Sequence, residues 1–328
     1  MKLTRAEFLK GAAASLALAP MPMLARGSRA QAPKGATITA QNSPSVTVEY
    51  ESPVIRRLIP ASGELVPAIG LGTAQDFGEG RDGAAFAARK DVIRTLIEGG
   101  GSVIDTAPVY GTAEPVIGRA LAELGMRDKA FLATKVSISG EQPGIAQMAK
   151  SFVDLKTPKV ECMMVHNLRD TEIHLKTLAR MKDEGKIKYI GATTSFSGAH
   201  ERMVETMQKH RLDWIQIDYA LDNRDAESRI LPLARDRGVA VMINLPFGRT
   251  RLFSKVRGKP LPGWAVAELG CTSWAQLFLK YVLANETVTV AIPGTNNPAH
   301  MKDNLGAMHG AVPTPDQAKR MIAAVEAA

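Results

Sequence analysis

Ser102-Val103-Ile104-Asp105-Thr106-Ala107 and Ala130-Phe131-Leu132-Ala133-Thr134-Lys135 are two short runs, apolar at consecutive rather than alternate positions until their last residues. A strand of that kind has both faces buried, the condition of a parallel sheet covered by helices. Between them, Glu114–Leu124 places its apolar residues at helical spacing. The unit is strand, helix, strand.

The same rhythm runs outward in both directions. Ile69–Thr73 precedes a predicted helix over Ala84–Glu98, and Ala130–Lys135 leads into Ile145–Leu155. Val160–His166 precedes Thr171–Glu184, Ile187–Thr193 precedes Ala199–His210, and Trp214–Tyr219 precedes Ala226–Arg237. Val239–Leu245 leads through a loop to Thr272–Leu283, and Val288–Pro293 precedes Pro298–Met308, with a last amphipathic helix near Pro315–Ala327. Eight such units predict an α/β fold of the (β/α)8 TIM-barrel type, occupying residues 53–328 as one domain. The competing doubly wound sheet carries a glycine-rich dinucleotide turn after its first strand, and Gly70-Leu71-Gly72-Thr73 lacks its third glycine. Val54–Ile59 and Leu65–Ala68, joined through Pro60-Ala61-Ser62-Gly63-Glu64, read as a β-hairpin ahead of the barrel.

Of the 328 residues 45% are hydrophobic and 23% charged, which excludes disordered and collagen-like chains. The net charge of +8 is half contributed by residues 1–32; the mild remainder, without basic blocks interleaved with aromatics, argues against a nucleic-acid partner. Two cysteines, Cys162 and Cys271, lie in apolar runs and read as small buried hydrophobes. Residues 1–32 join a basic start to the apolar stretch Gly11–Ala25 and to Ala30-Gln31-Ala32, a small-x-small cleavage pattern. They read as an export signal peptide to the periplasm, with an uncleaved segment or a cytoplasmic chain as the alternative. Thr4-Arg5-Ala6-Glu7-Phe8-Leu9-Lys10 resembles a twin-arginine signal with Ala6 in place of the second arginine. The stretch is shorter than the ~20 residues that span a bilayer, so no stable membrane span is expected. Residues 33–52 read as a flexible linker.

Barrel chemistry sits at the carboxyl ends of the strands. Asp105 ends one strand, Tyr110 lies in the loop after it, Lys135 ends the next and His166 the one after. Singly each has an ordinary structural reading: a cap, a packed ring, a snorkelling amine, a core imidazole. Jointly, charges ending buried strands are costly unless they meet. A tyrosine of pKa ~10 becomes a usable general acid if an ammonium beside it stabilises the phenolate, so the set predicts a lowered Tyr110 pKa. His166 would orient a carbonyl oxygen. No histidine pair or carboxylate cluster accompanies these residues at metal-ligand spacing, so no metal is expected.

Ile104-Asp105-Thr106-Ala107, Tyr110-Gly111, Glu114, Ile117-Gly118-Arg119-Ala120-Leu121, Thr134-Lys135 and His166-Asn167 resemble the signature of the aldo-keto reductase family. The resemblance covers about Ile55 to Asn304. It implies Asp105, Tyr110, Lys135 and His166 as a catalytic tetrad, a hairpin plugging the barrel bottom, and a nicotinamide dinucleotide lying across the barrel mouth. Cofactor contacts implied with it are Gly72 and Thr73 on the first strand, Thr193 and Thr194 on the fifth, and Gln216 on the sixth. After the seventh strand come Asn244, Leu245, Pro246, Phe247, Gly248 and Arg249, and on the eighth segment Pro293, Gly294, Thr295, His300, Asp303 and Asn304.

Several positions depart from the family pattern. Thr193-Thr194 stands for a Ser-Asn pair, and Asn244 for an aromatic that stacks on nicotinamide, with Phe247 the candidate to replace it. Gly294 and His300 replace a lysine and an arginine that clasp the 2′-phosphate of NADP. A neutral histidine cannot reproduce the arginine fork. Arg249, Arg251, Lys255, Arg257 and Lys259 offer other cations, and the reading keeps NADP (NADPH) ahead of NAD. The expected activity is reversible transfer of a hydride between NAD(P)H and the carbonyl carbon of an aldehyde or ketone, a small-molecule carbonyl substrate. The alternative is a cofactor-binding redox sensor or accessory protein with little turnover.

Overall fold

A computed structural model describes residues 53–327. The expected signal segment 1–32 and linker 33–52 lie outside the described residues.

The hairpin is present, formed by β1 (Arg56–Ile59) and β2 (Glu64–Pro67), antiparallel with Ile59 opposite Glu64. Eight strands follow: β3 (Leu71–Gly72), β4 (Val103–Asp105), β5 (Phe131–Val136), β6 (Val160–Val165), β7 (Ile187–Thr193), β8 (Trp214–Asp218), β9 (Ala240–Asn244) and β10 (Val288–Ala291). They lie in sequence order in one sheet, every neighbouring pair parallel. Parallel bridges Ile69–Ala291 and Gly72–Gly294 bring the two sheet edges together, so the open-sheet alternative falls and the (β/α)8 barrel stands.

Between the strands run α1 (Gly83–Glu98), α2 (Ala113–Leu124), α3 (Glu141–Asp154), α4 (Thr171–Asp183), α5 (His200–Lys209) and α6 (Ile230–Asp236). The long connection after β9 holds α7 (Arg251–Lys255), α8 (Gly263–Leu269) and α9 (Trp274–Ala284), and α10 (Pro298–Gly306) and α11 (Pro315–Glu326) complete the chain. Two boundaries differ from expectation for local reasons. The third helix starts at Glu141 rather than Ile145, because Pro143 lies in its first turn, where a missing N–H costs nothing. The sixth starts at Ile230, because Asp225–Glu227 form a separate 3-10 turn. The loop 245–273 also contains α7 and α8, which its polar, proline-bearing sequence did not signal.

Ile59 and Val66 of the hairpin are buried against Val103, Phe131, Trp214 and Ala240, the first residues of β4, β5, β8 and β9. The hairpin therefore plugs the amino-terminal end and leaves the carboxyl ends open. The first barrel strand is short because its edge is closed through glycine: a Cβ on Gly72 would lie 2.7 Å from the Ile292 carbonyl oxygen. Cys162 and Cys271 are buried free thiols, as expected. No helix among the described residues is long and apolar enough to cross a membrane.

Gly118, in α2, lies so near the end of α3 that a Cβ there would meet the Asp154 carbonyl oxygen at 2.3 Å. Backbone on backbone cannot rotate away. Gly118→Ala is expected to destabilise the full chain by about 1–3 kcal/mol, read from the urea unfolding midpoint; an unchanged midpoint would refute this packing.

Candidate active site

The strands β4, β5 and β6 are neighbours, so Asp105, Lys135 and His166 reach one mouth from adjacent staves. Asp105 is the last residue of β4; Lys135 is the penultimate residue of β5; His166 opens a 3-10 turn directly after β6. Lys135 is fully buried, and its Nζ donates to Asp105 Oδ1 at 2.7 Å, Asp105 Oδ2 at 2.8 Å and the Thr106 carbonyl oxygen at 2.7 Å. Three acceptors match the three hydrogens of an ammonium. Burial works against the Lys135 charge, but Asp105 and Tyr110 outweigh it and its pKa is raised. Burial also pushes the Asp105 carboxyl up, with Lys135 opposing that rise.

Glu114, part of the motif around α2, braces this strand: Thr134 Oγ1 donates to its Oε1 at 2.6 Å and Ser151 Oγ to its Oε2 at 3.1 Å. Tyr110 is held by its backbone, its N–H donating to the Ala107 carbonyl at 3.0 Å. Lys135 Nζ lies 5.1 Å from the Tyr110 ring centroid. The Tyr110 pKa rises, against the expected fall. Desolvation raises it, and the Lys135 charge and hydrogen bonding offset only part of that rise, while Asp105 adds to it. The phenol keeps its proton at neutral pH.

His166 meets Tyr110 nearly perpendicularly, ring centroids 6.0 Å apart. Burial lowers its pKa to about 4, with Lys135 and then Arg169 adding to the fall, so the imidazole is neutral at pH 7. Its Nδ1 is 2.7 Å from Ser137 Oγ. Ser137 was missed in the sequence, where a lone serine two residues past Lys135 carries no signal. Asp76 was missed for the same reason; its Oδ2 would lie 2.9 Å from a Cβ on Gly294.

The residues implied for a dinucleotide divide in two. Thr193 ends β7, Thr194 follows it and Gln216 lies in the middle of β8, all three buried, and Asn244 ends β9. Asn244 Nδ2 donates to the Thr194 carbonyl at 2.9 Å while its Oδ1 is buried without a partner. Gln216 Nε2 reaches Met242 Sδ at 3.1 Å, and Thr193 Oγ1 accepts from the Asn167 N–H at 3.1 Å. An unpartnered amide oxygen among side chains of this kind fits a carboxamide. Other members are held by the fold: Thr73 Oγ1 donates to the Asp105 carbonyl at 2.8 Å, and Pro293 accepts from the Gly72 N–H. Phe247 packs on Phe253, centroids 4.9 Å apart, and on Phe278. Asp303 is engaged by Ser273 Oγ at 2.7 Å and Gln276 Nε2 at 2.8 Å, which tie α10 to the start of α9.

Leu245, Gly248, Arg249 and Thr250 all have positive φ, so the turn that follows Leu245 and the buried Pro246 is tightly coiled. Leu245, Gly248, Arg249, Arg251 and Lys255 line a cavity of about 590 Å3. Of the basic run, Arg251 is already paired with Asp222 at 3.0 Å. Gly294 and His300 are exposed, whereas Thr295, in the loop before α10, and Asn304, within α10, are buried. Among the described residues no three histidine, cysteine, aspartate or glutamate side chains gather to hold a metal ion.

The model of the aldo/keto reductase family matches residues 68–326. The chain belongs to that family. Its members are, in general, NAD(P)H-dependent reductases of carbonyl compounds. An aldo-keto reductase from Strobilurus tenacellus is 26% identical over 241 residues, 62% of this chain and 71% of that protein. An aldo-keto reductase of Klebsiella pneumoniae solved with NADPH superposes with a TM-score of 0.69 at 23% identity, covering 83% of this chain and 95% of its own. The glycerol dehydrogenase of Gluconobacter oxydans superposes at 0.65 with 22% identity, over 83% and 95%. These structures share the barrel.

Removing the cation should leave Asp105 buried and unpaired. Lys135→Met is expected to lose about 3–5 kcal/mol of unfolding free energy at pH 7 by urea titration; a loss near zero would refute the pair. For His166, the folded value of about 4 lies below the ordinary 6.5, so between them the unfolded chain binds the extra proton. Stability from this residue is therefore complete above pH 6.5 and is lost as pH falls toward 4. His166→Asn should flatten the fall of Tm across that window, and an unaltered profile would contradict it.

Proposed function

We propose that this chain is an NAD(P)H-dependent reductase of aldehydes or ketones, reversible toward alcohol oxidation, with Tyr110 as the general acid. The observation that carries this reading is a fully buried ammonium, clamped by Asp105 and lying against the ring of Tyr110, with a neutral imidazole edge-on to the same phenol. Reduced nicotinamide, when bound, supplies the hydride that adds to the carbonyl carbon. His166 donates to the carbonyl oxygen and sets its position. As negative charge grows on that oxygen, the Tyr110 hydroxyl gives up its proton to it. An alkoxide is far more basic than a phenolate, so a phenol with a raised pKa still transfers its proton downhill. Lys135, held by Asp105, stabilises the phenolate that remains.

Gln216, Thr193, Thr194 and Asn244 would hold the nicotinamide amide. NADPH is kept ahead of NADH; the support is Arg249 and Lys255 at a cavity that Asp218, Asp222, Asp225 and Glu326 also line, and the NADPH carried by the Klebsiella relative. Export to the periplasm is a further part of this reading and rests on residues 1–32.

Tyr110→Phe is expected to reduce oxidation of NADPH by 4-nitrobenzaldehyde by about 10²- to 10⁴-fold while fluorescence titration shows NADPH bound as in the parent. A variant as fast as the parent would remove Tyr110 from the acid role. A parent that binds NADPH and turns over no carbonyl would favour the sensor reading. Tighter binding of NADH than of NADPH would reverse the cofactor preference.

A further inference from the structure

Ser137 stands where β5 ends, and its position is fixed by two elements. Its backbone N–H donates to Gln147 Oε1 of α3 at 2.6 Å, and its Oγ lies 2.7 Å from His166 Nδ1. The residue is buried, 9% exposed. On the other side, the turn carrying His166 is pinned through left-handed backbone at Asn167 and Leu168. The Asn167 N–H donates to Thr193 Oγ1, the Arg169 N–H to the His166 carbonyl at 3.2 Å, and Arg202 Nη2 to the Leu168 carbonyl at 3.1 Å. The backbone on both sides of this contact is thus held in place.

A neutral imidazole carries one N–H, on either nitrogen. If Nδ1 held it, Nδ1–H would donate to Ser137 Oγ, and the serine O–H would need another acceptor. Among the described residues its Oγ has no hydrogen bond other than that to His166. A buried hydroxyl left unpaired is costly, so the favourable arrangement is O–H donating to Nδ1. The ring proton then sits on Nε2, which among the described residues has no hydrogen-bond partner. We propose that Ser137 is a positioning residue that fixes the Nε2–H tautomer of His166, making Nε2 the donor that receives a substrate carbonyl oxygen. The opposite tautomer would present a lone pair to that oxygen and repel it. Ser137 touches neither substrate nor cofactor; it acts through the imidazole.

This proposal rests on the carbonyl-reductase reading for its consequence but not for its test. Long-range ¹H–¹⁵N correlation spectra of the uniformly ¹⁵N-labelled full chain at pH 7 report which ring nitrogen is protonated, and His166→Asn identifies the signal among the six histidines. The parent is expected to show His166 protonated at Nε2. Ser137→Ala should move that signal toward a mixture of tautomers, and Ser137→Thr, which keeps the hydroxyl, should restore it. In turnover with 4-nitrobenzaldehyde, Ser137→Ala is expected to lower kcat/KM about five- to tenfold, the scale of one neutral hydrogen bond, with NADPH affinity unchanged. A parent ring protonated at Nδ1, or an Ser137→Ala variant whose tautomer equals the parent's, overturns the proposal. If the parent reduces no carbonyl, the spectra still decide the tautomer, and only the functional reading fails.

Discussion

The contact between Lys135 and Asp105 is the constraint on which the mouth of this barrel depends. An ammonium and a carboxylate taken out of water are each costly, and the cost is offset only when every proton and lone pair is matched. Lys135 meets that condition with both Asp105 oxygens and the Thr106 carbonyl. The pair in turn fixes the ends of β4 and β5, and the loop that carries Tyr110 leaves from the first of them. A charge so fully partnered within the protein has little freedom to rearrange, which suits the phenolate-stabilising role proposed for Lys135.

The rest of the fold supplies registers for that contact. Gly72 and Gly294 let the sheet edges meet, Glu114 braces Thr134 from α2, and Thr73, directly after β3, holds the Asp105 backbone. Thr73 and Glu114 thus support the strand ends that carry Asp105 and Lys135. The hairpin closes the other end, so the interior opens only where the strands finish.

Burial also divides the roles of the titratable groups. Desolvation keeps Tyr110 protonated and His166 neutral, and Lys135 stays charged because Asp105 answers for it. A proton donor, a neutral orienting donor and a fixed cation thus coexist within one small volume at pH 7. The residues proposed to contact the cofactor are less uniform: the amide-bearing end is buried and convergent, whereas Gly294 and His300 at the other end lie exposed, with Asp76 beside Gly294.

Eight apolar runs at regular spacing, and polar residues at the ends of three of them, are one-dimensional facts; the barrel and the convergence of Asp105, Tyr110, Lys135 and His166 were legible from them. A buried strand must be apolar throughout, and a charge at its end must find a partner, so both leave marks in the order of residues. What the order could not carry was direction and depth. The rise rather than fall of the Tyr110 pKa came from the amount of protein around the phenol, which no spacing records. Ser137 facing His166, Asp303 bound to α9 and Phe247 turned into an aromatic cluster depend on which way side chains point across elements far apart in the chain. Only the folded chain settles those directions, because they result from packing between segments whose separation in sequence says nothing about their angle in space.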